Sequence, residues 1–193
     1  MFKNIRQYYQ NKIPNLTDVE WQALEDCLEI KYLKKGAHVI REGEVCNHVY
    51  FISKGFTRFY INADGKEIAV GFIGANEYIS AYESFLTRQP AMENIDALED
   101  TEMLALHYDQ MMMLYTNYPV FETFGRKIAE QLYVWISQRC TALLLLTPEQ
   151  RYIRMIENNS SLPQQIPQYM LATYIGVTPE HLSRLRKKLS VKK

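Results

Sequence analysis

Glu180 and Arg184 stand four residues apart near the end of the chain, with His181, Ser183, Lys187 and Lys188 beside them. On a helix, residues four apart share a face. A carboxylate and a guanidinium on one face form a hydrogen-bonding pair, and they suit the base edges of a DNA major groove. Arginine donates bidentately to guanine O6 and N7, and glutamate accepts from cytosine N4. Arg186, Lys187, Lys188, Lys192 and Lys193 would add phosphate contacts, which position a protein on the duplex without specifying sequence.

Such a face needs a helix held at a fixed angle, and residues 166–189 contain the parts. Leu171 and Ile175 lie one turn apart, with the small Ala172 beside them to let a second helix pack close. Gly176 can take the positive φ of a tight turn. Val177 can plug the angle between the helices. Thr178 then N-caps a second helix with Pro179 at its first position. Leu182, Leu185 and Leu189 make its inner stripe. The pattern is that of a helix-turn-helix with Thr178, Glu180, His181, Ser183, Arg184, Lys187 and Lys188 on its reading side. A plain αα-hairpin with a Glu–Arg surface pair is the blander alternative.

Charge agrees with this assignment. The chain is neutral overall, with 22 Lys+Arg against 22 Asp+Glu, yet the segment from Thr147 onward holds eight basic and three acidic residues. A basic end on an acidic body points to an anionic partner.

Upstream, Thr147-Pro148-Glu149-Gln150 reads as a capping box that starts a helix. Before it, Phe121, Phe124, Ile128, Leu132 and Trp135 follow Pro119 at intervals averaging 3.5 residues, the period of a two-helix seam. A helix of roughly 27 residues there would be about 40 Å long. Either two copies pair along this stripe or one long helix packs on its own domain. From Lys35-Gly36 to about Leu106 the texture is different. Short apolar runs at 49–52, 56–61, 68–73 and 103–106 are separated by glycines, and Asp64-Gly65 is a hairpin signal. Residues 4–29 read as helical, with Thr17 or Asp18 as a cap.

The fold expected is α+β: an N-terminal antiparallel, jelly-roll-like β-roll with helices over 1–117, a long dimerisation helix over 118–146, and a helix-turn-helix domain over 147–193. Apolar content of 47% and charged content of 23% are ordinary for a globular protein. The N-terminus lacks the apolar run of a signal peptide, and no run is long enough to cross a membrane. Cys27, Cys46 and Cys140 are scattered and odd in number, with no C-x-x-C, so neither a disulfide framework nor a zinc site is indicated. A reducing cytoplasm is the expected compartment.

In this order of parts the chain resembles the Crp/Fnr superfamily of transcription regulators over nearly its whole length. Residues 36–44 and 50–58 look like that family's β-roll strands and turns, and 176–184 like its recognition helix. Glu180 and Arg184 match its base-reading pair, while Pro179 stands where a further basic residue is common. The resemblance implies double-stranded DNA, a second copy of the chain and RNA polymerase as partners. It also implies a wing after the second helix, for which the four residues beyond Leu189 leave little room.

The same resemblance locates an effector pocket at Glu77, Ile79, Ser80, Ala81, Tyr82, Arg88, Ala91 and Met92. In members that bind cyclic nucleotides, a glutamate holds the ribose and an Arg-Ser pair the phosphate. Here Ala81 stands at the glutamate, and Ala91-Met92 at the Arg-Ser. A desolvated phosphate without a charged partner costs several kcal/mol. Cyclic AMP is therefore disfavoured, and the effector is open, with no cofactor expected. Three scattered cysteines are too few for the four-cysteine iron–sulfur cluster of the family's oxygen sensors. His38, His48, His107, Cys46 and Met92 are the candidate haem ligands, and a lone histidine in a β domain is more often structural.

Two rival classes fit the sequence less well. A cupin-like metal enzyme needs closely spaced histidines, and no His-x-His exists; nor is there a catalytic triad pattern, a P-loop or a G-x-G-x-x-G. No catalytic or metal-binding residue is expected. A sensor acting only through protein partners would suit the long helix but leaves the basic helix-turn-helix without a role.

Overall fold

The computed structural model describes residues 2–190. It divides into two compact units, Met1–Ile61 with Gly71–Glu130 and Asn62–Val70 with Gln131–Lys193. Lys192 and Lys193, expected as phosphate contacts, lie outside the described residues.

The chain opens with α1 (Phe2–Lys12) and α2 (Asp18–Glu25). Strands follow: β1 (Leu28–Leu33), β2 (His38–Ile40), β3 (His48–Lys54), β4 (Phe56–Ala63), β5 (Lys66–Gly74) and β6 (Tyr78–Ile79). Then come α3 (Tyr82–Thr87), β7 (Asn94–Ala97), β8 (Thr101–His107) and α4 (Tyr108–Asn117). Helices follow: α5 (Pro119–Leu145), α6 (Pro148–Asn158), α7 (Leu162–Gln165), α8 (Gln168–Ile175) and α9 (Pro179–Ser190). The architecture is the expected α+β roll followed by helices.

Among the described residues eight strands make two four-stranded antiparallel sheets, ordered β1-β8-β3-β6 and β2-β7-β4-β5. All four strand candidates exist, each a few residues longer than its apolar run. The Asp64-Gly65 turn has positive φ at both residues, 51° and 74°. That is the backbone a two-residue hairpin needs to match strand twist.

Residues 4–29 are not one helix. Thr17 begins α2 with a full capping box: its Oγ1 accepts from Glu20 N, and Glu20 Oε2 accepts from Thr17 N. Leu28–Leu33 is an edge strand paired residue for residue with β8, from Leu28 with Leu106 to Leu33 with Thr101. Its alternation of apolar and charged residues is a strand period that the helical reading ran past.

The core of the first unit gathers Ile5, Tyr9, Trp21, Leu24, Phe51, Ile52, Phe85, Ile95, Leu104 and Leu114. Tyr9 of α1 stacks on Phe124 at 3.8 Å between centroids, and Tyr8 meets Phe51 edge-on at 5.5 Å. Phe121 and Phe124 are 2% and 6% exposed, and Ile128 packs against the same cluster. This corrects the expected seam at its start. The first turns of α5 turn their aromatic stripe onto α1 and into the protomer's own core, so Phe121 and Phe124 are not available to a partner helix. Gly125 belongs to this packing, because a Cβ there would collide with the Tyr115 hydroxyl of α4.

The second sheet carries a buried polar lock. Arg58 on β4 and Asp96 on β7 are register neighbours joined by two hydrogen bonds, 3.0 Å from Nε and 2.7 Å from Nη2. Both hydrogen bonds are charge-assisted and fix the planar fork. Tyr60 lies under the guanidinium and meets His38 Nε2 at 3.1 Å.

From residue 131 the exposure of α5 reverses. Tyr133, Val134, Trp135, Ile136, Leu143, Leu144 and Leu145 are all exposed, Tyr133 at 73% and Leu144 at 82%. Leu132 is half-buried.

Candidate nucleic-acid interface

The turn between α8 and α9 is built as its residue types require. Gly176 caps α8 in the left-handed region at φ 78°, its N–H donating to Thr173 O at 3.0 Å. Val177 N then donates to Ala172 O at 3.0 Å. This is the Schellman-like closure that satisfies the last carbonyls of a helix. Thr178 Oγ1 accepts from His181 N at 3.2 Å and so caps α9, with Pro179 following. Leu171, Ala172, Ile175 and Leu182 are at most 1% exposed and Leu185 is buried. Leu189 is half-buried.

With that stripe turned inward, Thr178, Glu180, His181, Ser183, Arg184, Arg186, Lys187 and Lys188 are all exposed. The carboxyl of Glu180 is held below its usual range by its own backbone N–H, the Thr178 hydroxyl and Arg184. It therefore stays an acceptor at neutral pH.

Two shallow grooves flank α9. Gln168, Tyr169, Pro179, Glu180 and Ser183 line one. Thr147, Pro148, Glu149, His181, Arg184 and Lys188 line most of the other. Glu180 and Arg184 thus stand at the edges of different grooves. Lys188 pairs with Glu149 at 2.6 Å. The capping box at Thr147 is present, with Gln150 N donating to Thr147 Oγ1 and Thr147 N to Gln150 Oε1. Gln168 and Tyr169 were not picked out from the sequence. Tyr169 is 54% exposed, and Gln168 Nε2 donates to Pro179 O at 3.2 Å. Their signal was available: two large polar side chains in the first turn of α8, off its buried stripe.

The expected effector residues sit around α3, and the polar groups of Glu77, Ser80 and Arg88 have partners within the protein. Ser80 Oγ donates to His48 O at 3.0 Å. Glu77 accepts from Gly74 N at 3.4 Å. Ile79, Ala81 and Ala91 are buried, Tyr82 is half-buried against Phe85, and Met92 is 75% exposed. Arg88 caps α3 with φ 59°. Its guanidinium donates to Cys46 O at 2.8 Å, to Phe85 O at 3.2 Å and to Asn47 Oδ1, and lies over the Tyr108 ring. The one cation among the expected pocket residues is thereby committed to the scaffold. Glu93, not foreseen, is buried next to these residues, and burial raises its carboxyl above the usual range, with Glu83 adding to the effect.

The candidate haem ligands scatter. His48 and His107 are a cross-strand pair 5.0 Å apart between rings. His38 faces Tyr60, and Cys46 is buried with its Sγ 3.2 Å from His48 O. Among the described residues no three His, Cys, Asp or Glu side chains converge as metal ligands. Among them too, no helix is long and apolar enough to cross a membrane.

Comparison with known proteins agrees with this architecture. Residues 30–118 match the family profile of the cyclic nucleotide-binding domain. No curated protein matches the chain in sequence. Among solved structures, the c-di-GMP-responsive global regulator Clp of Xanthomonas campestris is similar with a TM-score of 0.72 and 16% identity, over 91% of this chain and 93% of that one. A CooA mutant from Carboxydothermus hydrogenoformans gives a TM-score of 0.74 at 16% identity, over 92% and 85%. A protein assigned to the Crp/Fnr family of transcriptional regulators, from Eubacterium rectale, gives 0.73 at 16% identity, over 93% and 86%. At such identities the likeness is one of fold. Residues 30–118 are similar to a cyclic nucleotide-binding domain, and the fold is similar to that of these regulators, as the sequence resemblance implied.

Proposed function

We propose that this protein is a DNA-binding transcription regulator that works as a dimer and reads a near-palindromic site through α9. One observation carries the reading. The α8–Gly176–α9 turn is closed by its own caps, and it leaves the hydrogen-bonding side chains of α9 exposed between two grooves. A recognition helix lying in the major groove would use Glu180 and Arg184 on base edges. The flanking grooves would seat the sugar–phosphate rails.

A second copy is the occupant suited to the exposed part of α5. Tyr133, Ile136, Cys140 and Leu143 recur at intervals of 3, 4 and 3, the period of a two-helix seam. This spacing supports a seam after residue 131. Cys140 is exposed and free, so a symmetric pair would bring two such thiols together. Mild oxidation should cross-link wild-type protein through Cys140, and Ile136→Glu should leave it monomeric in sedimentation.

Cyclic AMP is not the effector in this reading. The positions that would hold its ribose and phosphate are Ala81 and the pair Ala91-Met92; the two alanines are buried, none of the three carries a charge, and Arg88 is bonded elsewhere. RNA polymerase is the further partner the reading implies, in the cytoplasm. The decisive experiment is selection from a random DNA library by the purified protein with no added ligand. A palindrome with half-sites about one helical turn apart is expected. Enrichment of no sequence would favour a sensor acting through protein partners.

A further inference from the structure

The last carbonyls of α8 are held from outside α8, by two arginines. Tyr174 O accepts from Nη2 of Arg139, on α5, at 2.6 Å. The same guanidinium lies 3.9 Å from the centroid of the Tyr174 ring. Ile175 O accepts from Nε of Arg151, on α6, at 2.7 Å. Through Nη1, Arg151 also donates to Leu146 O at 2.6 Å and to Leu143 O at 3.5 Å, carbonyls at the end of α5. One cation thus closes the C-terminal ends of two helices, where partial negative charge gathers. The next residue is Gly176, and a Cβ there would come within 3.4 Å of Arg151 Nη2.

The arrangement is costly for a mere surface contact. Arg139 Nε is buried with no hydrogen-bond partner among the described residues. A buried donor left without a partner costs free energy, which the other bonds of this half-buried guanidinium offset. What these hold is the two residues that precede the turn. All of these groups lie in the second unit.

We propose that Arg139 and Arg151 are positioning residues for the recognition helix: they clamp Tyr174 O and Ile175 O and so fix the turn angle of α9 to the ends of α5 and α6. The inference rests on the reading of α9 as the DNA-contacting helix. Neither arginine touches DNA in it. A shift of the paired α5 helices would reach α9 through Arg139, and a shift of α6 through Arg151.

Lysine keeps the charge but loses the planar fork. The test therefore compares full-length Arg139→Lys and Arg151→Lys with wild type by two measurements. Amide hydrogen exchange at Gly176, Val177 and Leu182 should quicken by about tenfold in each variant, the loss of roughly one charge-assisted hydrogen bond. On the selected DNA site, preference over scrambled DNA should fall by about tenfold, while the slope of log affinity against log salt stays unchanged, because no phosphate contact is removed. Unchanged exchange at the turn would overturn the clamp. A slope reduced by about one with preference retained would also overturn it, since the arginines would then be phosphate contacts. Loss of helical circular dichroism in both variants would make the pair structural only, which again overturns it. If wild-type protein selects no DNA, the regulator reading fails, and the exchange rates alone decide the clamp.

Discussion

The start of α9 and the segment around α3 are both rich in polar side chains, but they spend them in opposite ways. On α9, Glu180, His181, Ser183 and Arg184 point away from a closed apolar stripe. Around α3, Ser80 and Arg88 turn inward and bond to backbone carbonyls, and Ala81 and Ala91 are buried and apolar. Residue type alone does not separate a binding face from a scaffold. Engagement does: a guanidinium already bonded to Cys46 O and Phe85 O has little left for a ligand, whereas an exposed one on a rigid helix is preorganised.

The largest loss is expected at α9. Replacing Glu180 and Arg184 together by alanine should lower affinity for the selected site by about a hundredfold, at roughly 1–3 kcal/mol for each base contact. Binding to scrambled DNA should change far less, as fluorescence anisotropy would report. Equal losses on both DNAs would mean that these two residues only position.

Arg88→Ala probes the other side. It should cost about 2 kcal/mol of stability, read from the urea midpoint, because buried carbonyls lose charge-assisted donors. It should leave DNA selectivity intact. Titration calorimetry with cyclic AMP should show no micromolar binding before or after the change; binding abolished by Arg88→Ala would reverse the assignment of Arg88 to the scaffold.

Smaller effects sharpen the contrast. Lys187→Ala should reduce the salt slope by about one and weaken selected and scrambled DNA alike. In the β-roll, burial and the neighbouring His107 hold the His48 imidazole below its usual range, with Glu29 opposing and Lys31 reinforcing. The unfolded chain then takes up its proton first, near pH 6.5. Stability should be fully present above that pH and fall as pH drops toward the folded value. His48→Phe should flatten the dependence of the urea midpoint between pH 7.5 and 5; an unchanged slope would assign it to other groups.

Much of the molecule was legible in the order of residues. Local physics wrote the punctuation: Thr17, Thr147 and Thr178 each cap a helix through a bond to a backbone N–H within three residues, and Asp64-Gly65 and Gly176 take positive φ. These features need only near neighbours, so spacing reveals them. The inner stripe of α9 was equally plain, since three leucines at helical intervals have one side to bury.

Where two distant segments compete for one surface, the sequence was silent. Phe121 and Phe124 have a seam's period, yet Tyr9, more than a hundred residues earlier, takes them into the core, and the exposed apolar stripe begins a dozen residues later. Arg88 belongs to the expected effector pocket, and only the fold brings Cys46 O and Asn47 to it. Arg139 and Arg151 carry no motif, because the carbonyls they hold come from a helix more than twenty residues away. Periodicity determines which face of an element is apolar. Which apolar or charged group lies against it is a property of the packed chain, and that was decided by tertiary structure alone.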